Sequence, residues 1–141
     1  IFANFVNYTS MPGDLRNWIT QLGLSPPMVI GAMMLIYVLL GTVMEELTMV
    51  LLTIPLFFPI VLSLGFDPIW FGVLIVMVVQ IGLISPPVGM NLFTIKAITG
   101  SPLGPIVRGA APYVLLMIAV MAMVMVWPQI ALWLPGTMMG K

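Results

Sequence analysis

The segment that decides the fold is Ile81-Gly-Leu-Ile-Ser-Pro-Pro-Val-Gly-Met-Asn91, which lies inside a stretch of 28 residues without a charge, 68–95. As one continuous helix that stretch would be about 42 Å long, more than the roughly 30 Å of hydrocarbon in a bilayer. The two prolines and two glycines of the segment remove amide donors and disfavour helical backbone. We therefore predict that the helix breaks at 82–91. Backbone exposed at that depth is tolerated only where it is buried in protein or lines a water-filled cavity.

The composition of the chain indicates a membrane location. Of its 141 residues, 62% are hydrophobic and 6% are charged, whereas soluble domains carry roughly a quarter charged residues. Three further uncharged stretches, at 17–44, 47–66 and 109–140, are each long enough to enter a bilayer. We predict an all-α membrane protein.

Charge and residue usage exclude several classes of function. Four basic residues balance four acidic ones, so no excess charge is available to hold nucleic acid. The chain has no cysteine and no histidine, which removes thiol nucleophiles, histidine-based triads and nearly every zinc or haem site. The only aspartates, Asp14 and Asp67, lie at segment ends, so we do not expect an intramembrane enzyme. A purely structural anchor would have no reason to break a helix at mid-depth.

The predicted break carries oxygen ligands. Ser85 and Asn91 contribute side-chain oxygens, and the break frees backbone carbonyls near Gly82 and Val88. Oxygen-only ligation suits a hard cation such as sodium. The half-helix after the break would present its N-terminal amides, which favour an anion. One broken helix could therefore hold a cation and a carboxylate together.

The stretch 26–66 allows two layouts, because two apolar segments flank the pair Glu45-Glu46. In the first layout, residues 26–44 span the membrane and residues 47–66 re-enter it. In the second, the whole stretch is one re-entrant helical hairpin whose tip is Gly41 to Glu46. A charge at the midplane costs on the order of 3 kcal/mol or more unless it faces water or a partner, so the second layout needs a functional reason for the pair. The distribution of basic residues slightly favours the first.

The two ends of the chain have simpler patterns. Residues 1–25 are typical of the end of a preceding helix followed by a short amphipathic arm helix at the membrane interface. Residues 106–135 are predicted to form a C-terminal scaffold helix with tryptophans in the interfacial belt. The chain begins at Ile1 without an initiator methionine or a signal-peptide pattern, and we expect it to be part of a longer protein.

Three blocks, Gly41 to Ile60, Gly65 to Gly72 and Ile81 to Phe93, resemble the large membrane subunit of TRAP transporters. The resemblance extends over nearly the whole chain, which is similar to the C-terminal third of that DctM-like subunit. It implies an elevator-type transport domain built from inverted repeats. It also favours the hairpin layout for 26–66, followed by a discontinuous transmembrane helix at 67–99.

The resemblance implies a function as well. It indicates sodium-driven import of organic acids, such as C4-dicarboxylates or sialic acid, across the bacterial inner membrane by a multi-pass permease. A periplasmic substrate-binding protein would deliver the substrate, and a small membrane subunit would brace the large one. We expect sodium as coupling ion, no other cofactor and no transition metal. The alternative is a sodium-coupled dicarboxylate carrier of similar elevator fold that works without a binding protein.

Site residues are implied in the same way. The sodium site of the family is similar to a set in this chain made of Gly41 in the hairpin with Gly82, Ser85 and Val88 around the break. Ser85 stands where many relatives carry threonine, and it keeps the hydroxyl. A weaker set of candidate substrate or pathway residues lies beside these: Thr42, Glu45, Gly89 and Asn91. Many relatives have aspartate and a small residue in place of Glu45-Glu46, and we expect the longer double carboxylate to change the electrostatics of the pathway.

Overall fold

The structure is a computed structural model that describes residue 5 and residues 8–85 and 89–139. The centre of the predicted break, including the candidate ligand Val88, lies outside the described residues, as does most of the predicted helix end at 1–10. The described chain contains seven bounded helices: α1 (Met11–Gln21), α2 (Pro26–Gly41), α3 (Glu46–Ser63), α4 (Pro68–Ile84), α5 (Met90–Thr99), α6 (Leu103–Val126) and α7 (Gln129–Met138).

Two of these helices, α3 and α6, are long and apolar enough to cross a membrane. The pair α1 and α2 would add a third span if it is counted as one helix bent by 119°. Helix α4, with 17 residues, is apolar but shorter. Within the described residues the prediction of an all-α protein is confirmed, and the apolar helices agree with a membrane protein.

The starts of the helices follow from local sequence. Helices α2 and α4 both begin with proline, whose fixed φ and missing amide hydrogen suit the first turn. Asp67 precedes α4, and its Oδ1 accepts a hydrogen bond of 2.7 Å from the Ile69 amide. Side-chain caps of this kind satisfy amides that have no partner inside the helix.

The core forms where α2 packs along α4, the most extensive helix pairing in the described chain. Helix α3 contacts both of them, and the arm helix α1 lies against α3. The buried side of α2 is a stripe with helical spacing: Val29, Ile30, Met33, Met34, Tyr37 and Gly41. Such a stripe is the expected apolar face of a packed helix. It ends on a glycine, which lets the two helices approach closely there.

The C-terminal segment differs from the predicted single helix at 106–135, because α6 ends at Val126 and α7 begins at Gln129. Pro128 explains the break, since it has no amide hydrogen to donate to the Val124 carbonyl one turn earlier. The indole Nε1 of Trp70 donates to that carbonyl at 2.8 Å, in a buried contact that joins α4 to α6. Helix α7 then contacts α4.

Candidate functional site

Helix α4 ends at Ile84 and α5 begins at Met90, and the described residues between them, Ser85 and Gly89, are not helical. The centre of the predicted interruption at 82–91 lies outside the described residues. Gly82 is still part of α4, and Asn91 already belongs to α5. The prolines at 86 and 87 cannot donate amide hydrogens to the carbonyls of Gly82 and Leu83, four residues earlier. The backbone is thus helical at Gly82, but the carbonyls of Gly82 and Leu83 have no helical amide donor four residues later.

Ser85 terminates α4 in an extended conformation, with φ −74° and ψ 132°. Its amide donates to the Ile81 carbonyl at 2.8 Å and, at the longer distance of 3.3 Å, to the Gly82 carbonyl. Its own carbonyl accepts a hydrogen bond of 3.0 Å from the Gly89 amide. The residue as a whole is 8% exposed and therefore buried.

The backbone of Gly89 packs against the backbone at the end of α4. A Cβ at this position would lie 2.8 Å from the Leu83 carbonyl oxygen and 2.9 Å from that of Ser85. Only glycine allows this approach, since any side chain would overlap backbone atoms that cannot turn away. Two carbonyl oxygens are thus collected beside Gly89. Sequence reasoning missed the Leu83 oxygen, although the proline at 87 is the signal that frees it.

The ends of α2 and α4 meet backbone to backbone at Gly41 and Gly82. A Cβ on Gly82 would lie 2.8 Å from the Gly41 Cα, and a Cβ on Gly41 would lie 3.1 Å from the Gly82 Cα. Both glycines are buried. The structure therefore brings together the two predicted glycines, with Ser85 three residues farther along the chain. Helix C-termini carry partial negative charge, so two of them converge at this place.

The turn between α2 and α3 holds two of the weaker candidates, Thr42 and Glu45. Thr42 is 8% exposed, and its Oγ1 donates to the Leu39 carbonyl at 2.7 Å. Glu45 is exposed and caps α3: its Oε1 accepts from the Leu47 amide at 3.2 Å, and its Oε2 accepts from the Thr48 amide at 3.1 Å and the Thr48 hydroxyl at 3.0 Å. These bonds, those from Thr48 first, lower the pKa of Glu45 from its usual value.

The remaining candidate, Asn91, lies in the first turn of α5 with an exposed side chain. The N-cap of that helix is Gly89, which offers no side-chain cap. The start of α5, like those of α1, α2, α6 and α7, therefore presents amides that no side-chain cap satisfies, whereas α3 and α4 are capped.

Residues 1–130 match the protein family described as "Tripartite ATP-independent periplasmic transporter, DctM component". The chain is 38% identical over 136 residues to the C4-dicarboxylate TRAP transporter large permease protein DctM of Pseudomonas aeruginosa, with 96% of this chain and 32% of the relative aligned. It is 30% identical over 140 residues to the sialic acid TRAP transporter large permease protein SiaM of Vibrio cholerae, with 99% of this chain and 33% of the relative aligned.

A third relative is the C4-dicarboxylate TRAP transporter large permease protein DctM of Vibrio cholerae. The identity is 36% over 140 residues, with 99% of this chain and 31% of the relative aligned. The chain spans about a third of the length of these curated relatives.

Proposed function

This chain belongs to the DctM component family of tripartite ATP-independent periplasmic transporters, and on that premise we propose that it is part of the membrane permease subunit of a sodium-driven importer of organic acids. The observation that carries the proposal is the contact of Gly41 with Gly82 beside a helix that stops and restarts. Irregular backbone within a membrane helix is tolerated where it serves a buried site. The permease would lie in the bacterial inner membrane as a multi-pass protein.

The proposed sodium ligands are oxygens of Gly41, Gly82, Ser85 and Val88. Three features support the first three: two helix C-termini converge, proline removes a donor from the Gly82 carbonyl, and Ser85 is a buried hydroxyl residue. Sodium is a hard cation that takes oxygen ligands of this kind, and half-helix C-termini provide them in other transporters. Val88 enters the proposal on the family resemblance.

The proposed substrate contact is the start of α5. Its uncapped amides suit a carboxylate, because the N-terminus of a helix attracts negative charge. Gly89 and Asn91 lie at this start, and Thr42 lies directly after the end of α2. Glu45 would contribute through the cap that fixes the turn before α3, since its carboxylate oxygens already accept hydrogen bonds there.

The proposal includes the architecture and the partners that the family implies. Helices α2 and α3 would form the re-entrant hairpin of an elevator-type transport domain, with the second inverted repeat supplied by the rest of the subunit. A small membrane subunit and a periplasmic substrate-binding protein would complete the transporter. The relatives are named for C4-dicarboxylates and sialic acid, and we propose a carboxylate substrate of this class.

The test is uptake of a labelled organic acid by vesicles that contain the full-length permease with its small subunit. We expect uptake only when a sodium gradient and the binding protein are both present. Uptake that persists without the sodium gradient would contradict sodium coupling. Uptake that persists without the binding protein would instead favour the stand-alone dicarboxylate carrier.

A further inference from the structure

The arm helix α1 and helix α2 enclose an apolar groove. The two helices are bent by 119° at their junction, where Gly23 takes a left-handed φ of +64° that favours glycine. The arm groove has a volume of about 280 Å³, and none of the residues that line it is charged. Its walls and floor include residues of α1, α2 and α3: Ile19, Leu22, Val29, Met33, Ile36 and Phe57.

The floor of the arm groove is buried, whereas its rim is open. Val29 and Met33 on the floor are each 3% exposed, and Phe57 is 7% exposed. Trp18 and Ile36 on the rim are 59% and 43% exposed. An open apolar surface with a buried floor is the form of a groove that holds an apolar ligand.

The size of the arm groove decides which apolar group fits. A dry apolar cavity of about 150 Å³ is enough to hold benzene, so a groove of about 280 Å³ accepts a chain of several carbons. One turn of a helix, 10–12 Å wide with a rise of 5.4 Å, fills roughly 400 Å³ or more and cannot enter. Because α1 is predicted to lie at the membrane interface, acyl chains of the bilayer are the apolar groups within reach.

The mouth of the arm groove carries a negative charge. Leu15 and Trp18 line both the groove and a second cavity, whose lining also includes Asp14. The Asp14 side chain is exposed, and its carboxylate has no hydrogen bond or ion pair within the described part of the chain. Arg16 lies against Pro59 in a different cavity, between α1 and α3. A lone carboxylate at the mouth suits a cationic headgroup, which can donate charge-assisted hydrogen bonds to it.

We propose that the arm groove binds one acyl chain of a phospholipid whose headgroup ends in a primary ammonium group, with that group at Asp14. The chain fills the angle between α1 and α2. Because the groove exists only while the two helices keep this angle, the bound lipid stabilises their bent arrangement.

The test uses the full-length subunit in vesicles of phosphatidylglycerol that contain a small fraction of a photoreactive lipid. The probe is phosphatidylethanolamine with a diazirine on its acyl chain, and the comparison probe is phosphatidylglycerol with the same chain. Crosslinks are located by mass spectrometry. We expect the phosphatidylethanolamine probe to label groove residues such as Met33 and Ile36 about fivefold more than the comparison probe, the factor for a favourable exposed ion pair.

The first variant blocks the place of the acyl chain. Ala32 lines the arm groove and is exposed, so Ala32→Trp fills the groove without disturbing the core. Labelling of the groove should fall at least about tenfold with both probes. Leu35→Trp is the matched control, because Leu35 lies on the same helix with 62% exposure and outside the lining. It adds the same side chain and should retain the labelling.

The second variant removes the charge at the mouth and leaves the groove open. In Asp14→Asn the two probes should label the groove equally, because the ammonium group loses its ionic partner. Glu46→Gln removes an acid from α3 and should retain the fivefold preference. This pair keeps the proposal testable even if Ala32→Trp does not fold.

Equal labelling of the groove by the two probes in the unmodified subunit would overturn the proposal. Absence of labelling there would overturn it as well, because it would mean that another segment of the subunit or a partner protein covers the groove. The same loss in Leu35→Trp as in Ala32→Trp would show that the labelling does not come from the groove. The measurement needs neither sodium, substrate nor binding protein, so its outcome is independent of the proposed transport activity.

Discussion

Prolines follow the last residues of both α4 and α6 in the sequence, and the carbonyls that lose their helical donors there have different partners. At Pro128 the carbonyl that loses its donor is that of Val124, and the Trp70 indole supplies a replacement at 2.8 Å. After α4 the carbonyls of Gly82 and Leu83 lose their donors. Of these, the described residues offer Gly82 only the long 3.3 Å contact from the Ser85 amide.

The two breaks differ in whether a freed carbonyl has a donor from another helix, and we propose that the break after α4 binds a ligand while the break before α7 is structural. The carbonyl of Val124 is satisfied by a buried donor from another helix, so the break before α7 is closed. At the end of α4 the chain collects oxygens, with the Leu83 and Ser85 carbonyls beside Gly89. The Ser85 carbonyl accepts from the Gly89 amide at 3.0 Å, whereas the Leu83 carbonyl has a proline four residues later and so loses its helical donor. Because buried carbonyls need partners, we propose that the Leu83 carbonyl favours a bound cation. The closed break is the one between α6 and α7, and the open break is the one between α4 and α5. The closed break serves as the reference for the open break.

The largest expected effect comes from Gly82→Ala, which forces α2 away from the open break. The added methyl group would lie 2.8 Å from the Gly41 Cα, and backbone cannot move aside as a flexible side chain can. Overpacking of this kind costs about 1–3 kcal/mol, and displacement of the glycine pair should reduce sodium-driven uptake at least about tenfold.

The matched control is Gly72→Ala on the same helix, where a new Cβ meets nothing within 4 Å. It should preserve both uptake and thermal stability in detergent. Equal losses for the two variants would mean that the glycine contact has no special part in the open break.

The second expected effect concerns the closed break. Trp70→Phe removes the donor to the Val124 carbonyl and leaves that buried group unpartnered, at a cost of about 1–3 kcal/mol. Thermal unfolding should show the loss, while the sodium dependence of uptake should stay as it was. Trp133→Phe, which changes an exposed tryptophan, is the control.

A second substitution should rescue this variant. Pro128→Ala restores an amide that can donate to Val124, so Trp70→Phe should cost little in that background. A full loss of stability in the double variant would show that the Trp70 bond does not compensate for Pro128.

The sequence predicted the broken helix because its signals are local, two prolines and two glycines in one apolar stretch. Pro128 is an equally local signal, yet the segment was predicted as one helix, since a single proline also fits a kinked membrane helix. The Trp70 bond to Val124 spans 54 positions, and no pattern in one sequence pairs an indole with a carbonyl so far away.

The contacts of the candidate site could be predicted from the sequence for some residues and not for others. The meeting of Gly41 with Gly82 was expected from the family resemblance alone, because hydropathy left two layouts for 26–66. The approach of Gly89 to the Leu83 carbonyl depends on three-dimensional packing. The ligand roles of these residues stay predictions, as does the scaffold role of 106–135.

A smaller effect should follow from Ser85→Ala at the open break. The substitution removes the Ser85 hydroxyl oxygen from the proposed sodium site but keeps the backbone carbonyls. We expect a several-fold higher sodium concentration for half-maximal uptake, as one weakened ligand contact is worth on the order of 1 kcal/mol. Gln80→Ala is the control, since Gln80 lies on α4 outside the proposed set. Equal effects of the two variants would undo the assignment of Ser85 as a ligand.

The smallest effect concerns the turn that leads into α3. The hydrogen bonds from Thr48 and Leu47 lower the pKa of Glu45, so the ionised cap stabilises the helix above the carboxyl's unfolded pKa. That contribution is lost as the pH falls through the lowered folded value. Glu45→Gln should therefore flatten the acid limb of the thermal-stability profile in detergent, while Glu46→Gln, which keeps the cap, should retain it. If both variants keep the acid limb unchanged, the Glu45 cap does not govern the stability of this turn.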